Sequence, residues 1–132
     1  MNRLDYFKAR LDATIAPVDV FAALNSKSGR ICVVDVRNGP AELIRDRVIY
    51  ALQIPQNQIL ERLDRLPKDR PLVLYCWDTW CSLAAQAAVP LLERGYDVRE
   101  MAGGMKGWKT LRFPTEPVDD AALAGQREPI PQ

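Results

Sequence analysis

Short apolar runs alternate with segments of helical period along this chain. Ile31-Cys-Val-Val-Asp35 is a continuous run rich in β-branched residues, the pattern of a parallel strand buried on both faces. Leu72-Val-Leu-Tyr75 is a second buried run, and Asp97–Met101 reads as a third strand. Ala51-Leu-Gln-Ile-Pro55 predicts a short strand closed by proline. Residues 3–14 set Leu4, Phe7 and Leu11 among Arg3, Lys8 and Arg10, which predicts an amphipathic helix packed on the domain surface. Pro17 opens a helix that runs to about Leu24 and is ended by Ser26-Lys-Ser-Gly29. Asn38-Gly-Pro40 is a loop, followed by a short helix over roughly Ala41–Asp46. Ile59, Leu60, Leu63 and Leu66 fall on one face of a further helix, which Pro67 stops. Ser82–Arg94 is an Ala-rich helix ended by Gly95, with Ser82 placed to cap it and Pro90 expected to bend or split it. Gly103-Gly104 turns the chain into a last helix over Met105–Leu111, in which Trp108 is a packing residue. Phe113–Pro117 and residues 126–132 read as an extended, partly mobile tail.

Strands alternating with helices specify an α/β fold, a three-layer open sandwich around a central, mainly parallel sheet. The reading divides the chain into a helical extension (1–14), one α/β domain (15–117) and a C-terminal tail (118–132). Open parallel sheets place their sites at the carboxyl ends of the strands. Cys76 stands at such an end, six residues before the serine that opens a helix. Loop amides and a helix N-terminus both favour negative charge, so a thiol there is biased toward thiolate. That placement builds a sulfur nucleophile without histidine, and the chain has no histidine.

Composition narrows the chemistry. The 132 residues suffice for one domain, with 48% hydrophobic and 27% charged positions. A net charge of +1 gives no electrostatic footprint for nucleic acid or a membrane surface, and no apolar run approaches a membrane span. The N-terminus lacks the apolar stretch of a signal peptide, and three cysteines do not form a secreted disulfide framework, so a cytoplasmic location is expected. With Cys32, Cys76 and Cys81 as the only soft ligands, neither a metal nor another cofactor is expected.

In order along the chain stand Val34-Asp35-Val36-Arg37, Glu42, Ala51-Leu-Gln-Ile-Pro55, Leu72-Val-Leu-Tyr-Cys76, Ser82-Leu-Ala-Ala, Gly95-Tyr96, Gly103-Gly104 and Trp108. In this order and spacing the chain resembles the rhodanese (sulfurtransferase) family from about Ile15 to Pro117. The resemblance implies that Cys76 accepts a sulfane sulfur as a persulfide and passes it to a thiol or other thiophilic acceptor. It implies that the backbone of Trp77, Asp78, Thr79, Trp80 and Ser82 cradles the substrate. It assigns Asp35, Arg37 and Glu42 to bracing the surrounding loops.

The loop departs from the family pattern. Many active members carry a cation just before the serine, where this chain has Cys81, and a glycine in mid-loop, where it has Thr79. Losing a charge-assisted contact to thiosulfate costs about 1.5–3 kcal/mol, roughly ten- to hundredfold in affinity. A small persulfide or a persulfidated protein is the expected donor. Cys81 has two readings: a resolving thiol that displaces hydrosulfide from the persulfide, or a bystander in the place of arginine. Cys32 reads as core. Trp77 and Trp80 read either as a rim for partners or, in one case, as a cover for the sheet edge. Two other functions stay open, an inactive rhodanese-like binding module and a Cys76/Cys81 redox sensor. Ser82 in the arginine position argues against phosphatase or arsenate-reductase chemistry of the Cys-x5-Arg type, and a thioredoxin-type Cys-x-x-Cys is absent.

Overall fold

The computed structural model describes residues 1–26 and 30–118. Helix α1 (Arg3–Ala13) leads into β1 (Thr14–Ile15), and α2 (Pro17–Leu24) precedes β2 (Cys32–Asp35). A 3-10 turn at Ala41–Leu43 is followed by β3 (Asp46–Val48) and β4 (Leu52–Gln53). A second 3-10 segment (Gln56–Arg65) leads to β5 (Leu72–Tyr75), α3 (Leu83–Glu93), β6 (Val98–Met101), α4 (Gly104–Thr110) and β7 (Thr115–Pro117). Five strands form one parallel sheet in the order β1-β6-β5-β2-β4, and β3 pairs with β7 in a separate antiparallel ribbon. The expected three-layer α/β sandwich is therefore the fold, with β5 at the middle of the sheet.

Strand alternation divides the core in two. Val34, Leu72 and Leu74 face Ile59, Leu66, Ala84, Ala87 and Leu91 on one side of the sheet. Val33, Val73 and Tyr75 face Val20, Met105 and Trp108 on the other. All four side chains of β5 are buried, and each contributes about 1.5–3 kcal/mol of apolar burial. Trp108 is fully buried, stacks edge-on against Phe21 and Phe113, and donates its indole N–H to the carbonyl of Pro114 at 2.8 Å. Its reading as a packing residue holds. Cys32 is only half-buried, at the rim of the first cluster.

Several local expectations need correction. Helix α1 forms, closed by a reciprocal cap between Asn2 and Asp5, yet it buries none of its residues; Leu11 is 80% exposed. Residues 56–65 are 3-10, broken at Arg62, so Leu60 turns outward while Arg62 is buried and bonds Gln58 Oε1 at 3.0 Å. A 3-10 pitch eclipses i and i+3 and does not carry the α-helical face. Helix α3 runs through Pro90 without a break. The helix read at Ala41–Asp46 is only the 3-10 turn, and its last residue starts β3. Phe113–Pro117 is not a loose tail: Thr115–Pro117 pairs with Asp46–Val48, and the Val118 amide donates to the Arg45 carbonyl at 2.9 Å. Helix α2 ends at Leu24, and residues 27–29 of the segment read as its stop, like the rest of the tail, 119–132, lie outside the described residues.

Candidate active site: a two-cysteine loop at the carboxyl end of the sheet

Cys76 follows directly on β5 and is 2% exposed, packed with Val34, Leu74 and Ala84. The chain then loops over residues 77–82 into α3. The loop is pinned from behind by α4. The Cys76 carbonyl accepts the Met105 amide at 2.8 Å, and the Trp77 carbonyl accepts the Lys106 amide at 3.0 Å. Gly104 makes this approach possible. Its φ is +59°, and a Cβ there would lie 2.6 Å from the Cys76 carbonyl oxygen and 2.8 Å from the Asp78 nitrogen. The Gly103-Gly104 pair was legible as a turn, but its role as the seat of the cysteine loop was not.

Cys76 and Cys81 are joined in a disulfide, with Cα atoms 6.3 Å apart. The two thiols of the loop therefore meet, within the Cα range that a bridge allows. Asp78 shapes the arc between them: its Oδ1 accepts the Trp80 amide at 2.9 Å and its carbonyl accepts the Cys81 amide at 3.4 Å. Among the described residues, the amides of Trp77, Asp78, Thr79 and Ser82 have no protein acceptor. Ser82 occupies the N-cap of α3 but does not cap it; its Oγ accepts from Gln86 Nε2 at 2.8 Å. The first amides of α3 are left open as well. The bridge thus ties the end of β5 to the residue just before Ser82, the N-cap position of α3, across a loop whose amides are largely unpaired.

The two loop tryptophans part company. Trp77 folds inward, donates its indole N–H to the Asn38 carbonyl at 3.1 Å and lies over the Arg37 guanidinium. Trp80 is 83% exposed, with Lys106 Nζ 5.9 Å from its ring centre. Thr79 and Ser82 are also exposed, and Asp78 is half-buried. Lys106, unremarked in the sequence, brings a cation beside a loop that has none of its own.

Beneath the loop lies a buried polar network. Arg37 Nε contacts both carboxylate oxygens of Asp35 at 3.0 Å, and its Nη2 reaches Oδ2 at 2.7 Å and the Asp46 carbonyl. Tyr75 donates to Asp35 Oδ2 at 2.7 Å and accepts the Val48 amide at 3.0 Å. Burial first, and then the Asp35 charge, push the Tyr75 hydroxyl well above its ordinary value. Asp35 and Arg37 thus link β2 to the Asp46 carbonyl of β3, and Trp77 of the loop lies over the Arg37 guanidinium. Glu42 is exposed, and its carbonyl accepts from Arg45 Nε at 2.9 Å. Among the described residues, no cluster of three or more His, Cys, Asp or Glu side chains is placed to hold a metal, and no helix is long and apolar enough to cross a membrane.

A parallel sheet with a cysteine loop at its carboxyl edge and helices on both faces defines a rhodanese-type domain. The chain belongs to the rhodanese-like domain family, which matches residues 18–111. It is 35% identical over 85 residues to a sulfurtransferase of Allochromatium vinosum, spanning 64% of this chain and 77% of that protein. It is 31% identical over 99 residues to an HTH-type transcriptional regulator of Mycobacterium tuberculosis, covering 75% of this chain but only 42% of that one. Among solved structures, a full-length protein from Lactobacillus plantarum superposes with a TM-score of 0.83 at 29% identity, over 87% of this chain and 96% of its own. The Bacillus anthracis CoADR-RHD protein in its reduced form matches with a TM-score of 0.63 at 26% identity, over 74% of this chain and 16% of that chain.

Proposed function

We propose that this protein transfers sulfane sulfur through a persulfide on Cys76, with Cys81 as the resolving thiol. The observation that carries the reading is the pairing of Cys76 with Cys81 at the open N-terminus of α3. The reduced Cys76 thiolate attacks the outer sulfur of a small persulfide or a persulfidated protein. A sulfur–sulfur bond forms on Cys76, and the donor leaves as its thiolate. An acceptor thiolate then takes the outer sulfur and returns Cys76 as thiolate. When no acceptor intervenes, the Cys81 thiolate attacks Cys76 Sγ, the disulfide closes and hydrosulfide leaves; the sulfane sulfur is reduced and the two cysteines are oxidised. Trp80, exposed next to Cys81, offers a protein partner an aromatic contact.

The disulfide also favours a second reading, a thiol–disulfide switch that carries no sulfur. Intact mass separates the two. After reduction, exposure to a sulfane donor is expected to add one sulfur, about 32 Da, to the Cys81→Ser variant and to leave the wild type as the disulfide, about 2 Da lighter than the dithiol. A Cys81→Ser protein that gains no sulfur from persulfide donors while the wild type still oxidises reversibly supports the switch. No change in either protein supports a binding module.

A further inference from the structure

The two sulfurs of the bridge are unequal. Cys76 is 2% exposed and belongs to the core cluster that holds Val34, Leu74 and Ala84. Cys81 is only partly buried, and both of its neighbours, Trp80 and Ser82, are exposed. Thiol–disulfide exchange requires the incoming thiolate to approach one sulfur from outside, in line with the sulfur that leaves. Cys81, at the margin of the same cluster, is the more exposed of the two to that approach. The sulfur that leaves must carry negative charge, and Cys76 would do so beside the open amides of the loop and of α3.

We infer that the Cys76–Cys81 disulfide is opened by a dithiol reductant that attacks Cys81, so that Cys76 is always the leaving thiolate. This rests on the reading of Cys76 as the sulfur-carrying residue, because it returns that residue, and not Cys81, in its reactive form. In the first step the reductant's thiolate forms a bond to Cys81 Sγ while the Cys76–Cys81 bond breaks and its electron pair goes to Cys76. The freed Cys76 remains next to the mixed disulfide, its Cα 6.3 Å from that of Cys81. It can re-attack Cys81 and expel the reductant. That return is intramolecular and outruns a second molecule of a monothiol. A dithiol escapes this, because its own second thiol attacks the sulfur bound to Cys81 intramolecularly. Cys81 then leaves as thiolate, the reductant closes its own disulfide, and both cysteines end reduced. The structure therefore selects a dithiol over a monothiol as the chemical class of partner.

The oxidised wild-type protein is treated with 2-mercaptoethanol while excess iodoacetamide is present from the start. Cys76 and Cys81 are then distinguished by fragmentation mass spectrometry. The expected product carries the mercaptoethanol adduct on Cys81 and carbamidomethyl on Cys76, in at least about tenfold excess over the reverse arrangement. An equal mixture, or the adduct on Cys76, overturns the inference. In parallel, without alkylant, dithiothreitol at equal thiol concentration is expected to open the bridge at least about tenfold faster than 2-mercaptoethanol; equal rates overturn the choice of a dithiol. Persulfide formation on Cys81→Ser is scored separately. Adducts on Cys76 together with a stable persulfide sink only this inference. Adducts on Cys81 with no persulfide from any donor sink the sulfur-transfer reading and leave the direction of disulfide opening standing.

Discussion

The Arg37 guanidinium lies 4.8 Å from the ring centre of Trp77, so the buried ion pair at the carboxyl end of β2 and the first residue of the cysteine loop share one cation. Arg37 is 2% exposed and Asp35 is fully buried. Removing the guanidinium strands a carboxylate in the core and unseats the indole above it. Arg37→Met is expected to lower stability by about 3–5 kcal/mol, read from urea unfolding. Trp77 fluorescence should shift toward that of exposed indole in the native variant. A loss under about 1 kcal/mol would show that the pair is not a brace.

Gly104 and Gly95 make a matched comparison. Both have positive φ, +59° and +88°, but a Cβ at Gly95 meets nothing within 4 Å while one at Gly104 strikes the Cys76 carbonyl. Gly95→Ala should cost about 1–2 kcal/mol, the strain of the left-handed backbone alone. Gly104→Ala should cost more and lower sulfur transfer at least about tenfold, because the loop must move off α4. Equal thermal shifts and equal activities in the two variants would contradict the pinned loop.

Tyr75 ties stability to alkaline pH. Its hydroxyl titrates well above its ordinary value in the folded protein, through burial and then the Asp35 charge. The unfolded chain loses that proton near pH 10. The stabilisation is therefore complete below about pH 10 and falls as pH rises toward the folded value, by about 1.4 kcal/mol per pH unit. Tyr75→Phe loses the hydrogen bonds to Asp35 and Val48 and should be weaker by about 1–3 kcal/mol at pH 8. Its stability should also fall less steeply above pH 10. Parallel pH profiles for the two proteins would refute the assignment.

Thiosulfate should be a poor donor for the wild type. Cys81→Arg places a guanidinium where the loop has none and is expected to raise kcat/KM for thiosulfate about tenfold or more, with a small persulfide less affected. Efficient wild-type turnover at low thiosulfate concentration would show that Lys106, beside Trp80, already supplies the charge.

Much of this was legible in the sequence because it rests on long patterns. The β-branched run at Cys32–Asp35 and the apolar run at Leu72–Tyr75 can only be buried strands, and they carry Asp35 and Cys76 with them. Strands β3 and β7 escaped, because Asp46-Arg-Val48 and Thr115-Glu-Pro117 are too short and polar to show a period; what holds them is each other and Arg47 Nε on Glu116 Oε1 at 2.8 Å. The α-helical face assigned to Ile59, Leu60, Leu63 and Leu66 failed because a 3-10 segment carries a different period. At the site, Cys76 was marked by position. The meeting of Cys76 with Cys81 depends on the curl of the loop, which the backbone of Asp78 and the close seat on Gly104 decide.

The pinning of Cys76 and Trp77 by Met105 and Lys106 confines what oxidation can alter. Their carbonyls belong to α4, and from Leu83 onward the chain belongs to α3. Between these two anchors lie residues 78–82, which carry the bridge's outer cysteine. The sheet and the Asp35–Arg37–Tyr75 hydrogen bonds lie outside that arc. A partner that tells the oxidised protein from the reduced one must therefore read a five-residue arc, with Trp80 as its most prominent letter.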